Sequence, residues 1–376
     1  MSFQKTFEQY HWDSIQAKIY SYNDMDVHRV LSNGCQSLDD FAVLLSPAAE
    51  NHLDQMSLIA NAKTRKRFGK SIQLYAPLYL SNECTNICTY CGFSMENKIP
   101  RRTLSSPEIL KEIKAIKELG FDHVLLVTGE APKEVDSEYI QKAIELCRNY
   151  FSQISIEVQP LKQDEYQSMI SAGLNAVYVY QETYHKEEYK KHHPKGKKSH
   201  FNYRIDTPDR LGQANIHKIG LGVLLGLEDW RVDSFFCALH LDYLEKKYWQ
   251  TKFSLSFPRL RPHAGIIQPK VEITDKQLVQ LILAYRLFNE DVEISLSTRE
   301  SPFFRDGILP LGITSMSAGS KTDPGGYAHQ EEENLEQFEI SDERSPAEVA
   351  ARIKELGFQP VWKDWDESYN HQSSIH

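Results

Sequence analysis

Residues 71–95 read SIQLYAPLYLSNECTNICTYCGFSM. The first part, Ser71–Ser81, is apolar and strand-like, and three cysteines, Cys84, Cys88 and Cys91, follow it closely. Three thiolates at the spacing Cys-x-x-x-Cys-x-x-Cys can hold three irons of a cubane iron–sulfur cluster, whereas an electron-carrier cluster normally takes four cysteines. The fourth iron is left open for another ligand. The spacing therefore predicts a reactive metal centre rather than a simple electron relay.

Two other uses of these cysteines are weaker. A disulfide framework is typical of short secreted chains, whereas this chain has 376 residues and six cysteines and begins without a signal-peptide pattern. A zinc site would need a fourth ligand in a paired pattern, and none follows the triplet. The remaining Cys35, Cys147 and Cys237 lie alone in apolar or helical surroundings, so we expect them to be buried small hydrophobes.

The composition is that of an ordinary globular protein, with 41% hydrophobic and 25% charged residues. The formal net charge of −9 argues against general nucleic-acid binding. No stretch approaches the roughly 20 apolar residues of a membrane span. Free cysteines without a targeting segment indicate the reducing cytoplasm.

Strand-like and helix-like segments alternate from Ser71 onward. Several strand-like runs are continuously apolar, as expected for strands covered on both faces by helices. The helix-like segments repeat apolar residues at i, i+3 and i+4, and Ser106 is the expected N-cap of the first of them. The pattern predicts an α/β fold, a closed (βα)8 TIM-type barrel in preference to an open partial barrel. The predicted strands are Ser71–Ser81, His123–Glu130, Ser155–Pro160, Ala176–Thr183, Gly222–Leu227, Phe253–Pro262, Glu293–Glu300 and Thr314–Gly319, and the predicted barrel helices include Pro107–Leu119, Val232–Trp249 and Asp275–Asn289.

The chain divides into three regions. Residues 1–70 lack strand alternation and are expected to form a helical extension across the barrel, which occupies residues 71–320. Residues 321–376 form a loop-like tail whose short helix, Pro346–Leu356, is expected to pack on the barrel. The basic run Lys190–Lys198 is expected to be a solvated loop, and a mobile cover over the site is the alternative.

In such barrels the catalytic groups come from the C-terminal ends of the strands and the loops that follow them. Gly129 and Glu130 close the second predicted strand. A glycine there lets a ligand approach the backbone, and the carboxylate can accept hydrogen bonds from an ammonium group. Glu157 is a polar residue at the end of the third predicted strand. It is either a buried, hydrogen-bonded structural carboxylate or a residue that binds a ligand.

The late strand ends carry groups suited to an amino-acid carboxylate. Arg299 closes the seventh predicted strand, and Ser317 and Gly319 close the eighth. An arginine facing hydroxyls and free backbone amides is a good carboxylate receptor. The alternative is an Arg299–Glu300 network that only closes the barrel mouth.

The cysteine spacing and these strand ends resemble the radical S-adenosylmethionine (SAM) superfamily. In that superfamily the open iron of a 4Fe-4S cluster binds the amino and carboxylate groups of SAM. The resemblance implies that the three cysteines ligate the cluster. It also implies that Gly129 and Glu130 meet the methionine amino group, Glu182 the ribose, Arg210 the SAM carboxylate, and Gly222 and Gly226 the adenine.

The match departs from the superfamily pattern at two places. Thr128 stands where the first glycine of a Gly-Gly-Glu stretch is usual, and Asp229 stands where the glycine motif usually ends in glutamate. For Arg210, a helix-surface ion pair with Asp206 at i−4 is the alternative to a SAM contact.

Across nearly the whole chain, tail included, the sequence resembles the 2-iminoacetate synthase family, the tyrosine lyases of thiamine thiazole biosynthesis. The resemblance implies a lyase that cleaves the Cα–Cβ bond of L-tyrosine into 2-iminoacetate (dehydroglycine) and p-cresol, while SAM yields 5′-deoxyadenosine and methionine. It implies product hand-off to thiazole synthase and an electron donor of the flavodoxin or ferredoxin type. The motifs that carry it are Tyr90–Met95, Thr128–Glu130, Tyr180–His185, Phe257–Pro262, Ser297–Pro302 and Trp362–Asp366.

The same resemblance suggests the residues at the substrate. Arg299 would anchor the tyrosine carboxylate, with Ser317 and Gly319 lining the site. Tyr90 would contact the substrate, although packing against the cysteine loop is its alternative role.

Three competing functions are weighed against this one. A lyase acting on another aromatic amino acid, such as tryptophan, shares the barrel and the arginine. The hydrogenase-maturation tyrosine lyase carries a second cluster on C-terminal cysteines, and this chain has no cysteine after Cys237. A non-catalytic, metal-stabilised scaffold is the third. It does not explain why three cysteine ligands leave one iron of the cluster open to another ligand.

Overall fold

The fold is built on eight parallel strands that close into a barrel. The computed structural model describes residues 2–261, 268–328 and 337–363. Each strand is hydrogen-bonded to the next along the chain, and the first also pairs with the eighth, which closes the ring and confirms the predicted (βα)8 barrel. The strands are β1 (Ser71–Ser81), β2 (His123–Thr128), β3 (Gln153–Glu157), β4 (Ala176–Tyr178), β5 (Lys218–Gly222), β6 (Lys252–Ser256), β7 (Glu293–Leu296) and β8 (Ser315–Ser317).

Helices surround the barrel and cover its strands on the outside. All six residues of β2 are buried, because its side chains face the helices on one side and the barrel interior on the other. The helices are α1 (Phe3–Phe7), α2 (Trp12–Ser21), α3 (Asp24–Asn33), α4 (Leu38–Leu45), α5 (Leu53–Phe68), α6 (Ser106–Glu118), α7 (Ser137–Cys147), α8 (Gln163–Ala172), α9 (Lys186–His192), α10 (Phe201–Ile205), α11 (Thr207–Gln213), α12 (Trp230–Lys247), α13 (Asp275–Phe288), α14 (Pro302–Ile308) and α15 (Pro346–Glu355), with 3-10 turns at Pro47–His52, Lys197–Ser199 and Leu309–Leu311.

The predicted boundary of the fifth strand is wrong. The predicted segment Gly222–Leu227 begins where β5 ends, and the strand itself starts at Lys218. The Lys218 side chain is only 1% exposed and its ammonium lies 2.8 Å from the Glu293 carboxylate at the start of β7. A charged residue at a strand start favours a loop in the sequence, and the carboxylate that pairs with it here lies on β7, two strands away in the barrel.

Other barrel boundaries shift as well, most of all at the C-terminal ends of β4 and β6, which stop at Tyr178 and Ser256 rather than at Thr183 and Pro262. The predicted helix Pro107–Leu119 is α6, which begins one residue earlier, with Ser105 rather than Ser106 as its N-cap. Glu108 accepts a hydrogen bond from the Ser105 amide at 2.8 Å, which completes a capping box.

The N-terminal helices pack against the barrel helices α12 and α13. The Phe3 ring stacks on His240 of α12, with centroids 3.7 Å apart. The Gln280 side chain of α13 donates to the carbonyls of Leu44 and Ser46 at 2.9 and 2.8 Å. These buried contacts hold the extension across one side of the barrel.

The tail adds a ninth strand, β9 (Gln359–Val361), that the sequence did not predict. It follows α15 along the chain and pairs in parallel with β1 at Ser71–Gln73. Three parts of the predictions lie outside the described residues. They are Pro262, the acidic stretch Glu331–Glu333, which we expect to be solvated, and Asp364–Asp366 of the motif Trp362–Asp366. In the part of the chain that the structure describes, no helix has the length and apolar character needed to cross a membrane.

Candidate active site

One large cavity opens at the C-terminal ends of the barrel strands, as expected for this fold. Its volume is about 1420 Å³, counting the open mouth. The cysteine loop after β1 forms one wall, and strand ends from most of the barrel form the rest. The predicted site residues that line it are Cys84, Cys88, Tyr90, Cys91, Gly129, Glu130, Glu157, Glu182, Arg299 and Ser317.

The three cysteines are free thiols on the same wall of this cavity. Burial raises the pKa of each thiol, and Lys198 is a nearby cation that opposes the shift. Within residues 2–261, 268–328 and 337–363, no group of three or more His, Cys, Asp or Glu side chains converges tightly enough to hold a single metal ion. Thiols that bind three separate irons do not need to converge on one point.

Arg101 organises the cysteine loop, a role that its sequence context did not reveal. Its guanidinium donates to the backbone carbonyls of Asn82, Phe93 and Ser94 at 2.6, 2.9 and 2.8 Å. One side chain therefore ties the two ends of the loop together. The signal was weak because these acceptors are backbone atoms.

The basic run Lys190–Lys198 packs against the cysteine loop through its backbone, while Lys190, Lys191, Lys195 and Lys197 are exposed, so the expected exposure to solvent holds for part of the run. The Ile87 amide donates to the Lys195 carbonyl and the Thr89 amide to the His192 carbonyl, both at 3.1 Å. The run therefore combines exposed lysines with contacts to the cysteine loop, and Lys198 lines the cavity. Its position is fixed by backbone hydrogen bonds, which composition cannot predict.

A group of opposite charges lies beside the cysteines. Arg204 lies 3.0 Å from the Glu130 carboxylate and 3.6 Å from that of Glu182, and Lys198 lies 2.7 Å from Glu182. Burial alone would raise the pKa of Glu182, but Lys198 and Arg204 outweigh it and hold that pKa below its ordinary value. Glu182 is therefore ionised at neutral pH, and both carboxylates face the cavity.

Glu182 has a backbone conformation that is rare for residues other than glycine. Its φ is 69°, and its carbonyl accepts a hydrogen bond from the Leu224 amide at 2.9 Å after β5. Such a conformation costs on the order of 1 kcal/mol and clusters at functional sites. It turns the chain at the end of the fourth strand and aims the carboxylate inward.

Gly129 is required by packing against the cysteine loop. A Cβ atom at this position would lie 2.1 Å from the Glu83 carbonyl oxygen. The strand β2 ends at Thr128, and the Thr85 amide donates to the Glu130 carbonyl at 3.0 Å. The close approach predicted for this glycine is therefore made, at least in part, by the cysteine loop itself.

The structure does not place Arg210 at the cavity. Its guanidinium donates to the Leu161 carbonyl at 3.0 Å and to the Thr207 hydroxyl at 2.8 Å, and it stacks on Tyr203. Arg204 lines the cavity in its place. The chain changes direction at Asp206 between α10 and α11, so two arginines six residues apart point to different surroundings.

The glycine motif that begins at Gly222, the last residue of β5, lies behind the cavity wall. A Cβ at Gly222 would lie 2.1 Å from the Ser256 carbonyl oxygen, and Gly226 has a φ of 118°. Leu224 between them lines the cavity, whereas the two glycines do not. Asp229 caps α12 and accepts hydrogen bonds from Gln16 and Tyr20 of the N-terminal extension, so its carboxylate is used structurally.

Arg299 faces the cavity with its guanidinium free for a ligand. Its guanidinium carbon lies 3.5 Å from the centre of the Phe338 ring, and among the described residues no hydrogen bond or ion pair reaches the guanidinium. Burial lowers the pKa of Arg299. A bound carboxylate would oppose this shift and satisfy the donors.

The other two predicted substrate residues on the late strands differ in position. The Ser317 hydroxyl lines the cavity and accepts a hydrogen bond from the Thr298 amide at 3.2 Å. Gly319 has a φ of 57° and lies against Pro346 of α15, and Ser320 lines the cavity in its stead. Gly319 therefore shapes the turn behind the cavity rather than its surface.

Tyr90 contributes its ring to the cavity wall, and its hydroxyl lies 2.6 Å from the His193 ring. His193 also contacts the Tyr189 carbonyl at 2.7 Å. The Tyr90 hydroxyl is thus held by the basic segment that covers the cysteine loop.

Further lining residues were not predicted as site residues from the sequence. The aromatic side chains Tyr79, Tyr178 and Tyr180 come from the ends of β1 and β4 and read as ordinary core residues. Gln337 and Phe338 come from the tail, far along the chain from the strands that they meet.

Comparison with known proteins places this site in a family. Residues 78–236 match the radical SAM superfamily, and residues 256–359 match the biotin and thiamin synthesis associated domain. The chain is 51% identical over 366 residues to the 2-iminoacetate synthase of Escherichia coli and 50% identical to that of Salmonella typhimurium, in each case over 97% of both chains. The chain belongs to the 2-iminoacetate synthase family.

Solved structures share the fold of this 2-iminoacetate synthase family member. The crystal structure of HydG, a maturase of the [FeFe]-hydrogenase, aligns with a TM-score of 0.89 at 29% identity and covers 96% of this chain and 81% of its own. Methylornithine synthase aligns with a TM-score of 0.70 at 20% identity, covering 89% of this chain and 97% of its own, which shows a common fold. Family membership implies a radical SAM lyase that uses SAM and an iron–sulfur cluster.

Proposed function

We propose that this protein cleaves the Cα–Cβ bond of L-tyrosine, giving 2-iminoacetate and p-cresol, while SAM yields 5′-deoxyadenosine and methionine. The 2-iminoacetate would supply the thiazole moiety of thiamine. One observation carries the proposal: three free thiols line a cavity at the barrel mouth together with Arg299, whose guanidinium has no hydrogen-bond or ion-pair partner among the described residues. A metal cofactor and an amino acid can therefore meet in one enclosed space.

Cys84, Cys88 and Cys91 would hold a 4Fe-4S cluster and leave one iron for SAM. The donor set fits, because three thiols share a wall and a folded loop fixes their spacing. When bound, the cluster and SAM supply the one-electron chemistry that amino-acid side chains cannot perform.

The charged group beside the cysteines would bind SAM. Glu130 and Glu182 present carboxylate oxygens that would accept hydrogen bonds from an ammonium group and from ribose hydroxyls. Arg204, rather than Arg210, is placed to meet a carboxylate. Gly129, Gly222 and Gly226 would contribute through backbone position alone.

Arg299 would bind the tyrosine carboxylate through its planar, forked donors. The Ser317 hydroxyl lies on the same wall, and Tyr90 lies toward the cysteine loop. Phe338 covers one face of the guanidinium, which excludes water from that side and strengthens an ion pair with the ligand. Gly319 would act only by shaping the turn that carries Ser320.

Tyrosine is favoured over tryptophan by the likeness to 2-iminoacetate synthases along the whole chain. The partners would be thiazole synthase, which receives an easily hydrolysed product, and a flavodoxin or ferredoxin as electron donor. A cytoplasmic location suits an oxidation-sensitive cluster on free thiols.

Anaerobic reconstitution of the full chain with iron and sulfide, followed by reduction with SAM and tyrosine, tests the proposal. We expect p-cresol and 5′-deoxyadenosine from tyrosine, with little aromatic product from tryptophan. A reconstituted protein that consumes tryptophan and leaves tyrosine intact would support the alternative lyase instead.

A further inference from the structure

The tail crosses the cavity mouth and is fixed beyond it by buried contacts. The amide of Asp342 donates to the Thr298 carbonyl at 3.0 Å, and the Asp342 carboxylate forms a fully buried ion pair with Arg305. These contacts position the preceding residues, Gln337 and Phe338, over the cavity. Phe338 meets Arg299, and Gln337 meets the cysteine loop.

The Gln337 side chain bridges a barrel tyrosine and a cysteine thiol. The Tyr79 hydroxyl donates to the Gln337 Oε1 at 2.6 Å, and the Gln337 Nε2 lies 3.9 Å from the Cys91 Sγ. A phenolic hydroxyl can donate or accept, and here it donates to the amide oxygen. In this orientation the N–H end of the amide faces the sulfur.

This orientation is also the one that an iron-bound thiolate requires. A thiolate on iron carries no proton and can only accept a hydrogen bond. The reverse orientation of the amide would place an oxygen lone pair against the sulfur, so the thiolate selects the arrangement in which the Tyr79 hydroxyl donates to the amide oxygen.

We propose that Gln337 is a positioning residue for electron uptake: its side-chain N–H donates to the Cys91 thiolate and makes the cluster easier to reduce. The inference rests on the proposed cluster at Cys84, Cys88 and Cys91. Reduction adds one electron and no proton, so the reduced cluster is more negative. A hydrogen bond to a cluster sulfur stabilises the more negative state and raises the reduction potential.

The test is a redox titration of the reconstituted full chain, followed by electron paramagnetic resonance without SAM. In Gln337→Leu the donor is lost, and we expect the equilibrium constant for reduction to fall about tenfold, a shift of about 59 mV to more negative potential for one electron. Gln337→Glu keeps the length and offers an acceptor in place of the N–H, so its potential should fall at least as far. Tyr79→Phe releases the amide and should shift the potential in the same direction by less.

Gln141→Leu is the matched control, because Gln141 lies on α7 and bonds only to Glu145 among the described residues, at 2.9 Å. Its potential should equal that of the wild type. Wild-type potentials in both Gln337 variants, at wild-type iron content, would overturn the inference. Should the Gln337 variants fail to take up iron, Tyr79→Phe decides, and an unshifted potential there overturns it. A wild-type protein that binds no cluster would instead refute the proposed function.

Discussion

Arg299 and Glu300 are consecutive residues whose side chains belong to different parts of the molecule. Glu300 is 1% exposed and accepts hydrogen bonds from Arg259 and Arg261, each at 3.0 Å. Arg299 turns the other way and faces the cavity beside Phe338. A network that closes the barrel mouth therefore exists, but Glu300 forms it without its neighbour.

Arg299→Lys should weaken tyrosine binding while leaving SAM binding unchanged. Lysine keeps the positive charge but cannot make two parallel hydrogen bonds to a carboxylate, which costs roughly tenfold to a hundredfold in affinity. Separate titrations with tyrosine and SAM, by calorimetry on the reconstituted protein, measure both effects. Equal losses for the two ligands would contradict the assignment of this residue to the substrate.

Glu300→Gln should reduce stability rather than select between ligands. The change removes the carboxylate charge that pairs with Arg259 and Arg261. Arg259 keeps Asp275 as a second partner and Arg261 is partly exposed, so we expect a loss of about 1–3 kcal/mol in the free energy of unfolding. Urea unfolding of this variant beside Arg299→Lys provides the comparison. The interpretation fails if Arg299→Lys is the less stable of the two.

Arg204→Ala should impair SAM binding, and Arg210→Ala should not. Arg204 lies against Glu130 and Glu182 in the cavity, whereas Arg210 bonds to backbone and to Thr207 outside it. Loss of a charge-assisted hydrogen bond predicts a roughly tenfold or greater weakening for the first variant. The two alanine variants are matched controls for each other, and a reversed order of affinities would restore Arg210 as the SAM contact.

Alanine at Cys84, Cys88 or Cys91 should abolish 5′-deoxyadenosine formation and leave the fold intact. Each variant removes one of three iron ligands, and none of these thiols holds the barrel together. Iron analysis, circular dichroism and product assay cover the three parts of the expectation. Cys35→Ser, in the N-terminal extension, is the control and should keep full activity. If the variants at Cys84, Cys88 or Cys91 still formed 5′-deoxyadenosine, the assignment of these cysteines as cluster ligands would be contradicted.

Glu157 predicts a pH dependence of stability. Burial, with a smaller contribution from Glu182, raises the pKa of this carboxyl from 4.5 to about 7. The folded protein therefore holds a proton that the unfolded chain has lost, so the stabilising effect present below pH 4.5 disappears as the pH rises through about 7. The gain in unfolding free energy from Glu157→Gln should then be larger at about pH 8 than at about pH 5. A gain that is equal at both values would show that this carboxyl titrates normally.

Local sequence was sufficient to predict the barrel, because its evidence repeats along the chain. Continuous apolar runs predict strands with two covered faces, and β1 has the predicted bounds Ser71–Ser81. The fifth strand was misplaced because the burial of Lys218 depends on Glu293, which lies 75 positions away in sequence. Secondary-structure propensity depends on residues that are close in sequence, so it carries no information about a partner as distant as Glu293.

The same distinction between local and distant contacts applies to the residues of the candidate site. The cysteines and Arg299 were found because spacing and strand ends are local signals. Lys198 was expected in solvent because a basic run usually is, but the Glu182 carboxylate draws its ammonium group into the cavity. Gln337 had no local signal, since its contact with Cys91 joins residues 246 positions apart.

The strand β9 has a consequence for how the molecule avoids self-association. Gln73 of β1 pairs with β8 on one side and with Val361 on the other, and Ser71 and Ile72 pair with Gln359 and Pro360. Without β9, this side of Ser71–Gln73 would be an open sheet edge, where strands of different molecules can pair. Strand β9 therefore covers a short edge at the start of β1 that would otherwise be available for edge-to-edge aggregation.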